Sequence, residues 1–246
     1  MFLTKIDLES TVRSSNESFD CDESVYQPSF SHELRVKSLV GLMSLGSRIK
    51  SARLCGLRLE IDPGVCNPAP LPGLSFSKLF SAGISDIKPH HLVLDMGTGC
   101  GVWALLAARK GATVTASDLL KNTSDRVQKN ADLNQVSCPE TVVGDLFDGL
   151  LGRKFDKILF NPPFHFGAPQ SSAEAAYLGG EGGEVVKRFL NDAVDHLLPN
   201  GSIRLILPAI ELDLYRGAMH GYDVRCRFRQ WVPVLGDVFL LELKPK

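Results

Sequence analysis

Apolar and polar positions follow two alternating periods along most of the chain. From residue 92 onward, short apolar runs of strand length alternate with longer stretches in which apolar residues recur every three or four positions. The first pattern is typical of buried strands and the second of helices. The predicted strands cover residues 92–95, 113–117, 141–143, 155–160, 202–207, 222–229 and 238–243, and the predicted helices cover 101–110, 123–134, 184–197 and 210–219.

This order of elements predicts an α/β fold. Strands that alternate with helices form a mainly parallel sheet with helices on both faces. No helix separates the last two strands, so we expect them to form an antiparallel hairpin that completes a seven-stranded sheet. Thr123 and Ser124 are the candidate N-caps of the second helix, and Pro199–Gly201 is a predicted turn.

The first 91 residues are less regular. The expected elements are a loosely packed segment over 1–31, a largely apolar helix over 31–54, a strand over 57–61, a loop with four prolines over 62–73 and a short helix over 76–82. We therefore divide the chain into an N-terminal extension, residues 1–60, and a main domain, residues 61–246. The extension is expected to recognise substrate or to act as a lid, or else to pack on the main domain.

Composition and charge narrow the function classes. Hydrophobic residues make up 44% of the chain, which is enough to form a full core. The formal net charge of −1 gives no sign of the strong positive potential that would attract nucleic acid or acidic lipid. The six cysteines form no C-x-x-C pair and fit no zinc pattern, so we expect no metal site and reduced thiols in the cytoplasm. We also expect no signal peptide and no membrane span.

Three glycines follow the first strand of the alternating region. The segment Leu92–Gly101, LVLDMGTGCG, joins an apolar run to a helix through Asp95, Gly97, Gly99 and Gly101. Glycines permit a sharp turn and the close approach of a ligand to the backbone, and the start of the helix offers free N–H groups. Such turns also occur as purely structural features, so this motif alone does not decide the function.

Asp118 ends the second strand of this region, roughly 20 residues after the glycines. At that spacing an acid accepts hydrogen bonds from ribose hydroxyls in nucleoside-binding sheets; the alternative is a solvated carboxylate at a strand end. The turn has no lysine of the G-x-x-x-x-G-K-[ST] type, and its Asp-x-Gly-x-Gly-x-Gly spacing differs from the dinucleotide pattern. The combination favours a nucleoside ligand.

This region resembles motif I of the class I S-adenosylmethionine (SAM) methyltransferases, which have a Rossmann-like fold. The resemblance runs from about residue 60 to the C-terminus. It implies SAM as cofactor and S-adenosylhomocysteine as product, with Asp95 near the methionine end of SAM and Asp118 on the ribose. The residues that would wrap the cofactor are Gly97, Thr98, Gly99 and Gly101. After the third strand, Asp145 and Leu146 would meet the adenine. The resemblance also implies that the proline-rich loop lines the SAM pocket; the alternative is a plain linker.

The tetrapeptide Asn161-Pro162-Pro163-Phe164 directly follows the fourth strand. An asparagine offers one acceptor and two donors, two prolines fix φ and remove two N–H groups, and an aromatic ring offers a stacking face. Together they would clamp a planar NH₂ or NH group, with its hydrogens on the asparagine oxygen and a proline carbonyl and its plane on Phe164. The alternative is a structural Pro-Pro turn. The adjacent His165 is either a general base or a structural hydrogen-bond partner.

The tetrapeptide resembles the (Asn/Asp/Ser)-Pro-Pro-(Tyr/Phe/Trp) motif of nitrogen-directed methyltransferases. Residues 177–185, YLGGEGGEV, are similar to the segment that follows it in HemK-like protein-glutamine N5-methyltransferases. Residues 161–165 are equally similar to ribosomal-RNA guanine methyltransferases. The resemblance implies catalysis by Asn161, Pro162, Pro163 and Phe164, with Asn161 also contacting the cofactor.

The favoured function is N-methylation of a protein glutamine. The alternatives are an adenine or guanine amino group in RNA or DNA, a small metabolite, and a non-catalytic scaffold. The near-neutral charge favours a protein or small-molecule acceptor over nucleic acid. Residues 179–183 would form a mobile loop that closes over the substrate, or a plain connector. Arg225, Arg227 and Arg229 share one face of a strand, where they would meet an acidic ligand or, as we favour, protect a sheet edge.

Overall fold

The computed structural model describes residues 38, 40, 41, 49–69, 75–232 and 235–246. The segment 1–31 lies outside these residues, as do most of the helix predicted over 31–54 and the end of the proline-rich loop. Three positions within that predicted helix, Ser38, Val40 and Gly41, are described and are helical. Among the described residues, no helix has the length and apolar character needed to cross a membrane.

A short hairpin occupies the end of the N-terminal extension. Its strands β1 (Ser51–Leu54) and β2 (Leu57–Glu60) pair antiparallel, so the strand predicted over 57–61 is confirmed. The expectation of helix through residue 54 is wrong, because Ser51–Leu54 form a strand. Cys55 and Gly56 both have positive φ (52° and 73°) and make the two-residue turn that pairs this strand with β2. This turn pairs Leu54 with Leu57, and both side chains are buried.

The main sheet has seven strands, as predicted. They are β3 (Leu92–Met96), β4 (Thr113–Asp118), β5 (Glu140–Val143), β6 (Phe155–Phe160), β7 (Leu197–Pro208), β8 (Tyr222–Val232) and β9 (Gly236–Pro245). Their order is β5-β4-β3-β6-β7-β9-β8. The first five strands in this order are parallel, whereas β9 is antiparallel to β7 and to β8, which confirms the C-terminal hairpin.

From residue 75 onward, the described helices are α1 (Ser77–Gly83), α2 (Val102–Arg109), α3 (Thr123–Asn134), α4 (Ser172–Ala175), α5 (Glu184–Asp192) and α6 (Ala209–Leu212). The helix predicted over 184–197 ends earlier, in a 3₁₀ turn over Ala193–His196, and the one predicted over 210–219 is replaced by α6 and two 3₁₀ turns. The predicted Pro199–Gly201 turn is a bulge inside β7, because Leu197 and Ser202 face residues of β6 that are two positions apart.

The predicted cap of α3 is also wrong. The N-cap is Asn122, and its side chain makes no capping hydrogen bond. Thr123 is the first helical residue, and its hydroxyl donates to the carbonyl of Leu120 at 2.5 Å. The hydroxyl therefore closes the preceding turn instead of accepting a hydrogen bond from the helix, as a capping side chain would.

Two asparagine side chains attach the β1–β2 hairpin to α3. The amide of Asn130 pairs with Glu60, accepting from its N–H at 2.8 Å and donating to its carbonyl at 2.9 Å. Asn134 pairs with Arg58 in the same way, at 2.8 and 2.6 Å. The two asparagines are four residues apart on one helix face, and they satisfy alternate residues of β2 as a neighbouring strand would. The division of the chain at residue 60 stays a prediction.

The strand with three arginines lies at the edge of the sheet. Arg229 makes two bonds of 2.8 Å to Asp237 of β9, and Arg227 lies 3.5 Å from Glu242. A register shift between Cys226 and Phe228 interrupts the pairing there. Charged side chains and a bulge are the usual protection of a sheet edge against pairing with another chain, which supports the interpretation favoured above.

Candidate active site

A cavity of ≈ 560 Å³ opens at the edge of the sheet where β3, β4, β5 and β6 end. The carboxyl ends of parallel strands are where ligands bind in open α/β sheets. The predicted site residues in its wall are Asp95, Gly97, Thr98, Gly99, Asp118, Asp145, Leu146, Asn161 and Pro163. Gly101, Pro162 and Phe164 are the predicted site residues outside its lining.

The glycine turn after β3 has the conformation that its glycines allow. Gly97, Gly99 and Gly101 have φ of 59°, 55° and 86°, in the left-handed region. A Cβ at Gly97 would lie 3.1 Å from the ring of Phe160, and one at Gly99 would lie 3.3 Å from Val65. Gly101 is the N-cap of α2. Gly101 therefore joins the turn to the helix, whereas Gly97 and Gly99 line the cavity.

Asp95 is buried in the cavity wall. Its Oδ2 accepts hydrogen bonds from the Thr98 hydroxyl at 2.7 Å and from the Ala104 N–H at 2.9 Å. Burial nevertheless raises the pKa of Asp95 from 3.8 to about 7, because removal from water penalises the charged form more than the two hydrogen bonds favour it. Asp95 thus ties the glycine turn to the first turn of α2.

Asp118 faces the same turn from the end of β4. Its Oδ2 accepts from the Gly99 N–H at 2.8 Å, and its Oδ1 accepts from the Leu120 N–H at 3.0 Å. A carboxylate has about four lone-pair positions, so two remain for hydroxyl donors in the cavity. The residue predicted to bind ribose therefore also holds the glycine turn.

Asp145 and Leu146 follow β5 and line the cavity. Leu146 has a left-handed backbone (φ 52°) and is buried. The Asp145 carboxylate lies 2.9 Å from the guanidinium of Arg188 on α5, and both side chains are about half exposed. If Asp145 accepts a hydrogen bond from the exocyclic amine of adenine, its carboxylate would bind both that amine and Arg188.

The tetrapeptide after β6 contributes Asn161 and Pro163 to the cavity. In the described part of the chain, no hydrogen bond engages the Asn161 side chain, so its carboxamide is available to a ligand. Phe164 is buried, with 5% of its surface exposed, and its ring meets the His165 ring edge-on at 4.7 Å between centroids. Stacking of an acceptor on Phe164 stays a prediction.

His165 does not line the cavity. It is fully buried, and its Nδ1 lies 2.8 Å from Oε1 of Glu211. This contact supports the structural interpretation over a role as general base. The main chain of His165 is bonded to residues 177–185, the glycine segment: its N–H donates to the carbonyl of Tyr177, and its carbonyl accepts from the N–H of Gly179. Residues 179 and 180 line the cavity beside Pro163.

Sequence reasoning missed Arg126, which has no functional motif around it. Its guanidinium is buried and donates to the Gly99 carbonyl at 2.7 Å, to Asn122 Oδ1 at 2.7 Å and to Asp62 Oδ2 at 3.3 Å. Arg126 thereby joins the glycine turn to the proline-rich loop. That loop contributes Val65, Cys66 and Pro68 to the cavity. The structure therefore agrees with the prediction that the loop lines the pocket, and not with the alternative of a plain linker.

Comparison with known proteins identifies the family. The model of the methyltransferase small domain matches residues 77–211, which is more than half of the chain. The chain belongs to this family. It is therefore a class I SAM-dependent N-methyltransferase domain, and both resemblances stated above are confirmed at the level of the family.

The chain is similar to enzymes with different acceptors. It is 31% identical over 160 residues to a putative protein N5-glutamine methyltransferase of Methanocaldococcus jannaschii, covering 61% of this chain and 76% of that one. It is 30% identical over 139 residues to a tRNA1(Val) (adenine(37)-N6)-methyltransferase of Shewanella halifaxensis, covering 54% and 56%. The chain spans about half the length of several other curated relatives.

A solved structure shares the fold. A 16S rRNA N2 methyltransferase of Thermus thermophilus, in complex with AdoMet and guanosine, matches with a TM-score of 0.59 and 23% identity, over 80% of this chain and 50% of that one. The cavity residues fit SAM, the cofactor of the methyltransferase family to which the chain belongs. The carboxylate of Asp118 suits a ribose. The turn at Gly97 and Gly99 suits the amino-acid part of SAM, because a Cβ at either glycine would be crowded by its neighbours.

Proposed function

We propose that this protein transfers the methyl group of SAM to a planar amide nitrogen, the side chain of a protein glutamine. The observation that carries the proposal is the carboxamide of Asn161, which lines the cavity with no hydrogen bond to the described residues and follows β6 directly. When bound, SAM supplies a methyl group that its sulfonium has already activated. The protein's task is then to orient the acceptor.

The residues of the cavity divide this task. Asp118 and the glycine turn would hold the ribose and the amino-acid part of the cofactor, and Asp145 and Leu146 would hold the adenine. The Asn161 oxygen would accept one N–H of the acceptor amide, and the carbonyl of a neighbouring proline would accept the other. The amide nitrogen is a weak nucleophile, so its orientation and proximity supply most of the acceleration.

No strong base is needed before attack, because the proton is acidic once the nitrogen carries the new methyl group. This agrees with the burial of His165 away from the cavity. The similarity to a protein-glutamine methyltransferase and the near-neutral charge support a protein acceptor. We also propose a cytoplasmic location, since the described cysteines carry free thiols, as reducing compartments favour.

A nucleobase amine in RNA is the second candidate acceptor. One observation favours it: Trp231 is 67% exposed at the end of β8, the strand that also carries Arg225, Arg227 and Arg229. The antiparallel pairing places this end of β8 at the same edge of the sheet as the end of β7, and hence on the side of the cavity. Exposed aromatic rings and arginines bind single-stranded RNA by stacking and by phosphate contacts.

The deciding experiment uses tritiated SAM, the purified protein and an extract of cells that lack it. The extract is separated after reaction into protein, nucleic-acid and small-molecule fractions. We expect label in a protein band and, after complete enzymatic digestion that leaves side-chain amides intact, in N5-methylglutamine. Label in RNA would support the second candidate, and label only in small molecules would replace both by a metabolite acceptor. No label, despite measurable SAM binding, would contradict the proposed activity.

Asn161→Ala is the matched control for this experiment. It removes the carboxamide without disturbing a hydrogen bond of the described residues, so we expect SAM affinity to stay within about twofold while most methyl transfer is lost. Calorimetry measures the first quantity and label incorporation the second. If the variant loses SAM binding or unfolds, the assignment of Asn161 to the acceptor is wrong.

A further inference from the structure

Two buried side chains hold the main chain and the ring at the end of the tetrapeptide. The hydroxyl of Tyr215 donates to the carbonyl of Phe164 at 2.8 Å. The carboxylate of Glu211 lies 2.8 Å from Nδ1 of His165. Tyr215, Glu211 and His165 are each 0% exposed. All of these contacts join the end of β6 to the segment that follows β7, across 46 to 51 residues of sequence.

The chemistry of the tetrapeptide explains why it needs such support. Pro162 and Pro163 have no N–H, so they cannot donate hydrogen bonds that would fix their main chain. Hydrogen bonds that support this main chain are instead made by the two residues that follow the prolines, Phe164 and His165. The His165 N–H and carbonyl are used by the glycine segment, and the Phe164 carbonyl is used by Tyr215.

The Glu211–His165 pair fixes a ring as well. The 2.8 Å contact between Oε1 of Glu211 and Nδ1 of His165 holds the imidazole in one orientation, whichever of the two atoms carries the hydrogen. The Phe164 ring packs edge-on against this imidazole, with 4.7 Å between the centroids. Glu211 thus orients His165, and His165 orients Phe164.

We propose that Tyr215, Glu211 and His165 are positioning residues for methyl transfer, which hold Asn161–Phe164 in place against the cavity. The inference rests on the proposed function of the tetrapeptide. None of the three lines the cavity, so they act through the residues they contact. A displacement of about 1 Å at a reacting group lowers a rate by roughly 100-fold, so loss of one anchor should reduce turnover without reducing cofactor affinity.

Tyr215→Phe tests the first anchor, and Tyr222→Phe is its matched control. Tyr222 is also buried, and its hydroxyl donates to a main-chain carbonyl, that of Leu190 on α5. Both variants lose one buried hydrogen bond and should lose similar thermal stability. We expect Tyr215→Phe to lower kcat for labelling of the acceptor fraction by about 10- to 100-fold, with the Kd of SAM within twofold. Equal kcat values for the two variants would overturn the inference.

Glu211→Gln and Glu211→Ala test the second anchor. A glutamine carboxamide can donate or accept, so it can still bond Nδ1 of His165, whereas alanine leaves the imidazole without that partner. We expect Glu211→Gln to retain most of the turnover that Glu211→Ala loses. If the two variants lose turnover equally, Glu211 does not act through His165.

Hydrogen–deuterium exchange keeps the inference independent of the acceptor. We expect faster exchange at the amides of residues 164–167 and 177–180 in Tyr215→Phe, but not in Tyr222→Phe. Unchanged exchange in Tyr215→Phe would overturn the inference even if the enzyme is active. If the wild-type protein labels no fraction, the proposed function fails, and the exchange result still decides whether Tyr215 positions the tetrapeptide.

Discussion

At the scale of single residues, Asp95 makes stability depend on pH. Its pKa is raised by burial from 3.8 to about 7. Between pH 4 and 7 the folded protein therefore keeps a proton that the unfolded chain has released, so the free energy of unfolding falls as pH rises through this range. At about 1.4 kcal/mol per pKa unit, the loss from this residue is at most roughly 4 kcal/mol.

Asp95→Asn removes this titration. The asparagine oxygen can still accept from Thr98 and Ala104, and the side chain is neutral at every pH. We expect urea unfolding to show the variant gaining stability relative to wild type as pH rises from 4 to 8. Asp223→Asn, at an exposed position of β8, should follow the wild-type curve. Parallel curves for Asp95→Asn and wild type would contradict the assignment.

Asp118 has two roles that substitution can separate. Asp118→Ala removes the acceptor of the Gly99 and Leu120 N–H groups together with the carboxylate that faces the cavity, so both stability and SAM affinity should fall. Asp118→Asn keeps one acceptor oxygen but no charge. We expect both variants to bind SAM at least several-fold more weakly in calorimetric titrations, with the larger loss of stability in Asp118→Ala. An unchanged affinity would refute the ribose role.

At the scale of elements, the glycine segment and the tetrapeptide are packed main chain against main chain. A Cβ added at Gly179 would lie 2.2 Å from the carbonyl oxygen of Pro163, which is too close for any side chain. Gly179→Ala must therefore push the two segments apart, at a cost of roughly 1–3 kcal/mol for overpacking. Because Pro163 and Gly179 both line the cavity, we also expect methyl transfer to fall by about tenfold or more.

Gly217→Ala is the control for this prediction. An added Cβ at Gly217 has no atom within 4 Å, so the same change of residue type should leave activity and melting temperature near wild type. The measurements are label incorporation and thermal unfolding. If Gly179→Ala behaves like Gly217→Ala, the two segments do not need their close approach.

The same elements show what could be predicted from the sequence. The bounds of β6, Phe155–Phe160, were predictable because an apolar run stops before Asn161-Pro162-Pro163, and prolines end a central strand. The glycine turn was predictable because its signal is local. The contacts of Arg126 with Gly99, and of Glu211 with His165, join residues 27 and 46 positions apart, and no local pattern marks them. They follow only from the order of strands in the sheet.

At the scale of the whole molecule, several charged side chains of the C-terminal strands are paired within the protein. Arg204 of β7 is fully buried between Asp86 and Glu242, each at 2.7 Å. Glu242 also meets Arg227, and Arg229 is bound to Asp237. Arg225 is exposed and carries charge outward from β8. Two of the three arginines of β8 are thus paired, and with a formal net charge of −1 this strand provides little phosphate-binding surface.

The charge distribution makes salt dependence a test of the acceptor. Proteins that contact 6–10 phosphates lose about 10³- to 10⁵-fold in affinity between 50 and 200 mM salt, since each contact releases counterions. For a protein glutamine acceptor, we expect KM to change by less than about threefold over this range, in wild type and in Arg225→Glu alike. The salt dependence of KM is measured as label incorporation at acceptor concentrations below saturation. A steep salt dependence that Arg225→Glu reduces would instead place phosphates on β8, and the acceptor would then be RNA.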